Sequence, residues 1–199
     1  MNLKSELWLV RHGQTDWNFQ GRYQGHADIP LNAAGLAQAR ALAANLFGKP
    51  FDAIYSSDLQ RARVTAEIVG EVLGIEVRLD KRLREINQGE WEGRMVAEVM
   101  QLFSQEKARD GFDPATFRPP GGESISEVAI RVANVADEIT RSHPQGKVLL
   151  VSHGLAVATL VCQVNGIPLS KVYENIPDNA HPRVITWVMN SSDCLANKR

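Results

Sequence analysis

Two short runs of consecutive apolar residues, far apart in the chain, constrain the fold more than any other feature. Residues 7–10 are Leu-Trp-Leu-Val, and residues 148–151 are Val-Leu-Leu-Val. A strand with one face in water alternates apolar and polar residues, whereas an uninterrupted apolar run of this length is typical of a strand buried on both faces. The sequence therefore predicts a sheet that is covered on both sides.

Other segments alternate between strand-like and helix-like patterns. Three further strands are predicted at residues 53–56, 76–79 and 185–189. Helices are predicted at residues 33–47 after an Asn32 N-cap, between a Ser57 or Asp58 cap and Gly74, and from near Ser124 to just before Pro144. Strands that alternate with helices indicate an α/β fold with a mostly parallel sheet.

Residues 86–122 interrupt this alternation, because the segment is rich in glycine and proline and contains one predicted helix, at residues 96–107. So long an irregular stretch between core elements is typical of a functional lid or of a disordered linker. The aromatic residues of the segment favour an ordered cap, since they supply apolar surface to bury: Trp91, Phe103, Phe112 and Phe117.

Composition and charge exclude several classes of protein. The chain has 22 Lys and Arg against 23 Asp and Glu, a net charge of −1, so no broad basic surface for nucleic acid is expected. No apolar run approaches the roughly 18–20 residues that cross a bilayer, and the first residues lack the pattern of a secretory signal. Cys162 and Cys194 fit reduced thiols. We expect a cytoplasmic protein without nucleic-acid or membrane partners; its oligomeric state is not indicated.

Both of the strongest strand runs continue into a His-Gly pair, at His12 and at His153. With five His and 15 Gly in 199 residues, random placement would give about 0.4 such pairs. Ligands of parallel sheets gather at the carboxyl ends of strands, so the two histidines would face each other across one crevice if the two strands are neighbours. A helix that starts after His153 would add an N-terminus suited to an anion. The residues alone leave both a structural and a catalytic role open, and they supply too few ligands for a zinc site.

The sequence around the first histidine resembles a known signature. Residues 11–18, Arg-His-Gly-Gln-Thr-Asp-Trp-Asn, are similar to the Arg-His-Gly-x-Thr-x-x-Asn motif of the histidine phosphatase superfamily, in its phosphoglycerate-mutase branch. Further segments resemble other motifs of that family in the same order, at residues 24–31, 56–66, 83–93, 121–124 and 151–154. The resemblance implies a three-layer α/β/α fold of the phosphoglycerate mutase type, with residues 1–199 forming one domain and a cap inserted at about 86–122.

The resemblance also implies roles for individual residues. His12 would be the nucleophile that accepts the phosphoryl group, Arg11 and Arg61 would hold the phosphate oxygens, and His153 would donate to the transferring group. Glu85 would protonate the leaving group and then activate water. Further contacts to the substrate would come from Asn18, Gln24, Gly25, Gly154 and Leu155. Because the arginines and His153 supply positive charge, no metal and no other cofactor is expected.

Nearby residues of the same types receive other interpretations. Arg63 lies two positions from Arg61, hence on another helix face, and is expected to be a solvated surface charge. Glu90 and Glu92 compete with Glu85 by proximity alone and are expected to be solvated or to order the cap. Thr15 is expected to stabilise a turn.

The cap is expected to decide between two activities, phosphatase and mutase. Its residues comprise four bases (Arg94, Lys107, Arg109, Arg118) and six acids (Glu90, Glu92, Glu98, Glu106, Asp110, Asp113). Such a cap is a poor binder of bisphosphoglycerate, so we expect a phosphatase acting on a small phosphorylated metabolite. A cofactor-dependent phosphoglycerate mutase is the alternative, and a non-catalytic phospho-ligand-binding protein is a third. The cap aromatics Trp91, Phe112 and Phe117 could form the core of the cap or recognise an aryl or nucleoside-like leaving group.

Overall fold

The predicted sheet is present and has five strands. The computed structural model describes residues 3–107 and 111–189, so Cys194 lies outside the described residues. The strands are β1 (Lys4–Arg11), β2 (Ala53–Ser56), β3 (Val77–Leu79), β4 (Lys147–Ser152) and β5 (Pro182–Val188). Their order is β3-β2-β4-β1-β5, and every neighbouring pair is parallel except β1 with β5. The mostly parallel sheet is therefore confirmed.

Helices cover both faces of this sheet. They are α1 (Asp16–Gln20), α2 (Ala33–Leu46), α3 (Gln60–Leu73), α4 (Val96–Lys107), α5 (Ile125–Ser142) and α6 (Gly154–Asn165). Because successive strand residues point to opposite faces, Val148 and Leu150 join one buried cluster with α5 and α6, while Leu149 and Val151 join another with α2 and α3. This explains the uninterrupted apolar runs and confirms the three-layer α/β/α architecture.

Of three predicted helix starts, two are confirmed and the cap of the third is wrong. Asn32 caps α2 as expected, and α5 begins directly after Ser124, near which its start was predicted; each side chain accepts a hydrogen bond from a backbone amide of the first turn. The cap predicted for α3 was wrong: neither Ser57 nor Asp58 is its N-cap residue. The Asp58 carboxylate instead pairs with Arg84 at 2.6 and 2.7 Å.

A residue from a distant loop accepts a hydrogen bond from the first backbone amide of α3. The amide of Gln60, the first residue of that helix, donates to the Asp28 carboxylate over 2.6 Å.

The start of the last strand was predicted too late in the sequence, because β5 pairs with β1 from Lys4 opposite Val188 to Val10 opposite Pro182. Both errors come from long-range partners that local patterns do not reveal.

The interval between β3 and α5 contains α4 and two short 3-10 helices, Lys81–Leu83 and Gly89–Trp91.

In the described part of the chain, no single helix is long and apolar enough to cross a membrane. One bent pair is comparably apolar, namely α6 with the 3-10 helix Leu169–Asn175, which turn through 118°. The first nine residues of α6, residues 154–162, are buried in the core of the protein.

Candidate active site

The two histidines that follow the apolar runs meet at the carboxyl edge of the sheet. Because β1 and β4 are adjacent and in register, with Arg11 opposite Ser152, His12 and His153 emerge side by side. Their ring centroids are 5.1 Å apart with the planes at 62°, and both side chains are buried. His12 lines a cavity of about 620 Å³ together with Arg11, Arg61, Glu85, Gly154 and Leu155, and His153 lies behind His12 and is not part of this wall.

One ring nitrogen of His12 is fixed by the residue that follows it. Nδ1 lies 2.6 Å from the Gly13 carbonyl oxygen, and since a carbonyl only accepts, Nδ1 carries the proton and Nε2 keeps its lone pair. Burial, and after it the Arg61 and Arg11 guanidinium groups, hold the pKa of His12 well below its ordinary value. The imidazole is therefore neutral and has a free nucleophilic nitrogen.

Arg61 lies on the first turn of α3 and is fully buried. Its two terminal nitrogens donate to the carbonyl oxygens of Ala27 and Gly25, over 2.7 and 2.8 Å. Burial lowers the pKa of Arg61 to about 10, against the opposing effect of Glu85, so the guanidinium stays charged near neutral pH. These bonds aim the side chain and leave Nε for a ligand.

Arg11 is the last residue of β1, and its side chain is held by the segment that precedes β5. Its Nη1 donates to the Pro177 carbonyl oxygen over 3.1 Å, and burial lowers the pKa of its guanidinium while Glu85 and Asp178 oppose the shift. A Cβ on Gly154 would lie 3.0 Å from Ile176 Cγ2 and 3.4 Å from Arg11 Nε. The glycine after His153 therefore packs closely against Ile176 beside this arginine.

His153 contributes a further donor. Its Nε2 lies 2.8 Å from the Ser57 hydroxyl, and burial, followed by Arg61 and His12, holds its pKa well below the usual range. When Nε2 accepts from the Ser57 hydroxyl, Nδ1 carries the proton. Sequence reasoning proposed Ser57 as a helix cap and missed this contact.

Several buried donors at this crevice lack partners. Among the described residues, five buried side-chain N or O atoms have no hydrogen-bond partner, and three of them are Arg11 Nε, Arg61 Nε and His153 Nδ1. Buried donors are normally satisfied, so three at one place indicate a site for an anion. Within the same described residues, no three His, Cys, Asp or Glu side chains are grouped as metal ligands.

The side chain of Glu85 lies against the N-terminal end of α6. Its carboxylate accepts from the amides of Leu155 and Ala156, over 3.2 and 3.3 Å, and from its own neighbour Ile86 over 3.0 Å. Sequence reasoning expected Leu155 to contact the substrate, whereas here its amide donates to Glu85. The helix N-terminus therefore positions the carboxyl group.

A half-buried ion pair holds the backbone behind Glu85, and sequence reasoning did not single it out. The Arg131 guanidinium donates to the carbonyl oxygens of Arg84 and Glu85 over 2.7 and 2.8 Å and pairs with Glu123 at 3.0 Å. His26 Nε2 also lies 2.9 Å from the Glu85 carbonyl oxygen. The only local signal is Glu123 within the Gly-Gly-Glu-Ser segment.

The predicted amide contacts lie on the wall of the cavity. The Thr15 hydroxyl lies 3.0 Å from the Gln24 side-chain oxygen, to which it donates, and 3.2 Å from the Asn18 side-chain oxygen, which also accepts from the Thr15 amide. Thr15 also caps α1, in agreement with its predicted structural role. These bonds use the oxygen of each amide, so the amide nitrogens of Asn18 and Gln24 remain for a ligand. Gly25 contributes its carbonyl oxygen to Arg61.

The competing residues lie elsewhere. The Arg63 side chain is 41% exposed and lies 3.9 Å from Glu67, in agreement with a surface charge. Glu92 accepts from the His26 amide over 2.7 Å and so orders the Gln24–Gly25 loop, while Glu90 is exposed.

The loop after His12 lies directly on the first turn of α2. A Cβ on Gly35 would collide with the Gln14 carbonyl oxygen, and a Cβ on Gly13 would lie 2.5 Å from the Gly35 carbonyl oxygen. The Gln14 amide donates to the Gln38 side chain over 2.8 Å. Only glycine at both positions permits this approach, which fixes the loop that carries His12.

Comparisons with known proteins agree on one family. The profile of the histidine phosphatase superfamily (branch 1) matches residues 7–196. The chain is 37% identical to phosphoserine phosphatase 1 of Hydrogenobacter thermophilus over 180 residues, which cover 90% of this chain and 85% of that protein. It is 42% identical to a probable phosphoglycerate mutase of Escherichia coli over 164 residues, which cover 82% of this chain and 76% of that protein.

A solved structure shares the fold. The structure of mycobacterial glucosyl-3-phosphoglycerate phosphatase in complex with VO3 has a TM-score of 0.79 to this chain at 34% sequence identity. The match covers 92% of this chain and 90% of the other.

Proposed function

The chain belongs to the histidine phosphatase superfamily (branch 1), and on that premise we propose that it hydrolyses the phosphomonoester of a small phosphorylated metabolite through a phosphohistidine at His12. One observation carries this proposal. Three buried donors without partners, Arg11 Nε, Arg61 Nε and His153 Nδ1, lie at the crevice where His12 keeps a free Nε2 lone pair. Such an arrangement suits a phosphoryl dianion next to a nucleophile.

The first step transfers the phosphoryl group. His12 Nε2 attacks phosphorus, the bond from phosphorus to the ester oxygen breaks, and protonated Glu85 gives its proton to the departing oxygen. Arg11, Arg61 and His153 donate to the three non-bridging oxygens as charge redistributes. Because Nδ1 already bonds to the Gly13 carbonyl, His12 needs no reorientation to attack.

The second step returns the enzyme to its starting state. The Glu85 carboxylate takes a proton from a water molecule, whose oxygen attacks phosphorus as the bond to His12 Nε2 breaks. Inorganic phosphate leaves, the His12 imidazole is neutral again, and Glu85 is protonated for the next substrate. The Leu155 and Ala156 amides hold the carboxyl group in place during both transfers.

The charge of the transferred group is neutralised by the chain's own side chains in this scheme. We therefore expect phosphate release from 4-nitrophenyl phosphate to continue at the same rate in excess EDTA. The measurement is inorganic phosphate and nitrophenol released by enzyme dialysed against the chelator. Loss of activity in EDTA, restored by Mg²⁺, would contradict the proposal.

Phosphoglycerate mutase activity is the alternative, and the name of the Escherichia coli relative favours testing it. Incubation with 3-phosphoglycerate and a trace of 2,3-bisphosphoglycerate separates the activities. Release of inorganic phosphate supports a phosphatase, whereas formation of 2-phosphoglycerate without release identifies a mutase. Binding of phosphate without either product, and without phosphate release from 4-nitrophenyl phosphate, would identify the non-catalytic ligand-binding protein.

The close approach between Gly35 and Gln14 gives a further prediction. Glycine to alanine inside a helix ordinarily stabilises by roughly 0.5–1 kcal/mol, but Gly35→Ala forces the Gln14 backbone away and overpacks the site. We expect the free energy of unfolding to fall by about 1–3 kcal/mol and kcat to fall with it, because the displaced loop carries His12. Urea denaturation and phosphate release measure the two effects.

The matched control is Ala34→Gly, on the exposed side of the same turn. It should cost about 1 kcal/mol of helix propensity and leave kcat unchanged. A Gly35→Ala variant that is more stable than the parent with the same kcat would show that the loop does not depend on this contact.

A further inference from the structure

The cavity extends well beyond the groups that would hold phosphate. Its volume of about 620 Å³ lies within the range of roughly 300–1,000 Å³ typical of pockets that enclose drug-sized ligands. A three-carbon leaving group such as glycerate or serine would leave most of this space to water. The volume therefore suits a substrate with a larger organic part.

The cap contributes a cluster of aromatic rings to the wall. Trp91 and Phe117 stack with centroids 5.7 Å apart and an angle of 24°, and Phe103 lies 4.3 Å from Phe117. Phe112 joins at 5.7 Å from Phe117. Three of these rings, Trp91, Phe112 and Phe117, are only half-buried and all four line the cavity. The rings thus form the core of the cap and also present apolar surface to a ligand.

Apolar side chains from outside the cap continue this wall. They come from α1, from the loop that follows it, from the start of α5 and from the segment before β5, as Trp17, Tyr23, Ile125 and Ile176. Aromatic walls of this kind bind ring-bearing ligands through burial and through stacked or edge-to-face contacts. Most of the cavity wall beyond the phosphate end is thus suited to an apolar ring.

The charges on the wall disfavour an acidic leaving group. Among the described lining residues, the charged side chains besides Arg11 and Arg61 are Arg22 and Glu85. Arg22 is tied to the protein by hydrogen bonds to the Gln20 side chain and the Gly93 carbonyl oxygen, at 2.9 and 2.7 Å. A carboxylate there would lose water and gain only the remaining N–H groups of Arg22, because its Nε and Nη1 are already bonded to the protein.

Neutral polar groups complete the lining. Gln88 is 7% exposed, and Asn18 and Ser170 also contribute to the wall. A few uncharged donors and acceptors in an otherwise apolar pocket orient a ligand through its heteroatoms. They suit an uncharged ring system that carries hydroxyl, amide or ring-nitrogen groups.

We infer that the leaving group of the substrate is an uncharged alcohol that carries an aromatic ring, and not a hydroxy acid or an amino acid. This inference rests on the proposed phosphatase function, because it concerns the half of the same cavity that the phosphate does not occupy. The cap aromatics determine which phosphomonoester is hydrolysed, while the residues around His12 determine that hydrolysis occurs.

Three phosphomonoesters of primary alcohols test the inference, since their leaving groups differ mainly in ring content and charge. We expect kcat/KM for 2-phenylethyl phosphate to exceed that for glycerol 3-phosphate by roughly 10- to 100-fold, as burial of one aromatic ring implies, and phosphoserine to be hydrolysed more slowly still. A preference for phosphoserine, or equal rates for 2-phenylethyl and glycerol 3-phosphate, would overturn the inference while leaving the phosphatase proposal intact. If neither these three esters nor 4-nitrophenyl phosphate released phosphate, the phosphatase proposal itself would be overturned.

Substitutions in the wall locate the preference. Phe117→Ala should lower the ratio of kcat/KM for 2-phenylethyl phosphate to that for glycerol 3-phosphate by about tenfold. The matched control Phe19→Ala, at a side chain that is 79% exposed and outside the cavity wall, should leave the ratio unchanged. An unchanged ratio in Phe117→Ala, or an equal fall in Phe19→Ala, would overturn the assignment.

A second variant keeps the test independent of cap stability. Met100 lines the cavity but is 37% exposed, so Met100→Lys introduces a cation without emptying the aromatic cluster. We expect kcat/KM for phosphoserine to rise relative to that for 2-phenylethyl phosphate by about tenfold, as one new charged hydrogen bond implies. No change in this ratio would show that charge on the wall does not govern the choice of substrate.

Discussion

Replacing His12 with asparagine should lower kcat by about 10⁴-fold or more, the scale seen when a nucleophile is removed from other covalent enzymes. The asparagine amide nitrogen can occupy the position of Nδ1 and donate to the Gly13 carbonyl oxygen, so the loop keeps its main local hydrogen bond. What is lost is Nε2, the nitrogen that would accept the phosphoryl group. The expected result is a folded protein without turnover.

Two measurements separate loss of chemistry from loss of structure. Thermal unfolding of His12→Asn should occur within a few degrees of the parent, since a substitution that keeps the local hydrogen bond costs little stability. Brief reaction of the parent with substrate, followed by digestion and mass spectrometry, should give one phosphoryl group on the peptide that contains His12 and none in the variant. Turnover in His12→Asn above a hundredth of the parent rate would exclude His12 as the nucleophile.

The matched control for this experiment is His143→Asn. His143 follows α5 and contacts Tyr55 and Arg78, at 3.2 and 3.3 Å, away from the cavity wall. Its substitution should leave kcat unchanged, so any general effect of removing a histidine would be detected there.

The local sequence predicted the parts of the fold that depend on local chemistry. Runs of residues buried on both faces marked β1 and β4, and the Asn32 side chain, which caps its own helix, marked the start of α2. Where a helix start depends on a distant residue, as when Asp28 accepts from the Gln60 amide, local reasoning chose the wrong cap. The difference is physical, because a cap within three residues is encoded in spacing and a cap from another loop is not.

The residues of the candidate site also fall into two groups, those that local motifs identify and those that only the folded structure brings near. The residues that would touch phosphate lie within short motifs, and the resemblance of those motifs to a known family named them. The residues that hold them in place are remote in sequence: Arg131 supports the backbone of Glu85 from α5, and Asn179 donates to the His12 carbonyl oxygen over 2.8 Å. Supporting contacts of this kind require the folded arrangement, since nothing in the sequence near Arg131 points to Glu85.

The cap shows what composition can and cannot predict. Its aromatic residues indicated an ordered segment, but the sequence left open whether the rings form a core or face a ligand. The structure shows both features in the same rings, because Phe117 stacks on Trp91 and also lines the cavity. A residue type alone cannot separate these roles when one ring has two faces.

Glu85→Gln gives the second large effect, and its size should depend on the substrate. An alkyl phosphate needs a proton on its departing oxygen, so kcat/KM should fall by about 10²–10⁴-fold when the general acid is lost. 4-Nitrophenolate leaves without a proton, so transfer of its phosphoryl group to His12 should slow far less. The glutamine side chain has nearly the same shape and keeps one oxygen that can accept from the Leu155 or Ile86 amide.

The same substitution removes the base that activates water in the second step. Phosphohistidine should therefore accumulate in Glu85→Gln, and 4-nitrophenyl phosphate should give a burst of about one nitrophenol per active site, followed by slow turnover. The matched control Glu90→Gln, at an exposed carboxylate in the same segment, should show neither the burst nor the loss. An equal loss for alkyl and nitrophenyl substrates without a burst would mean that Glu85 shapes the site through its contacts with α6 and transfers no proton. The contrast between the two substrates thus tests proton transfer itself, because a merely distorted site would slow both.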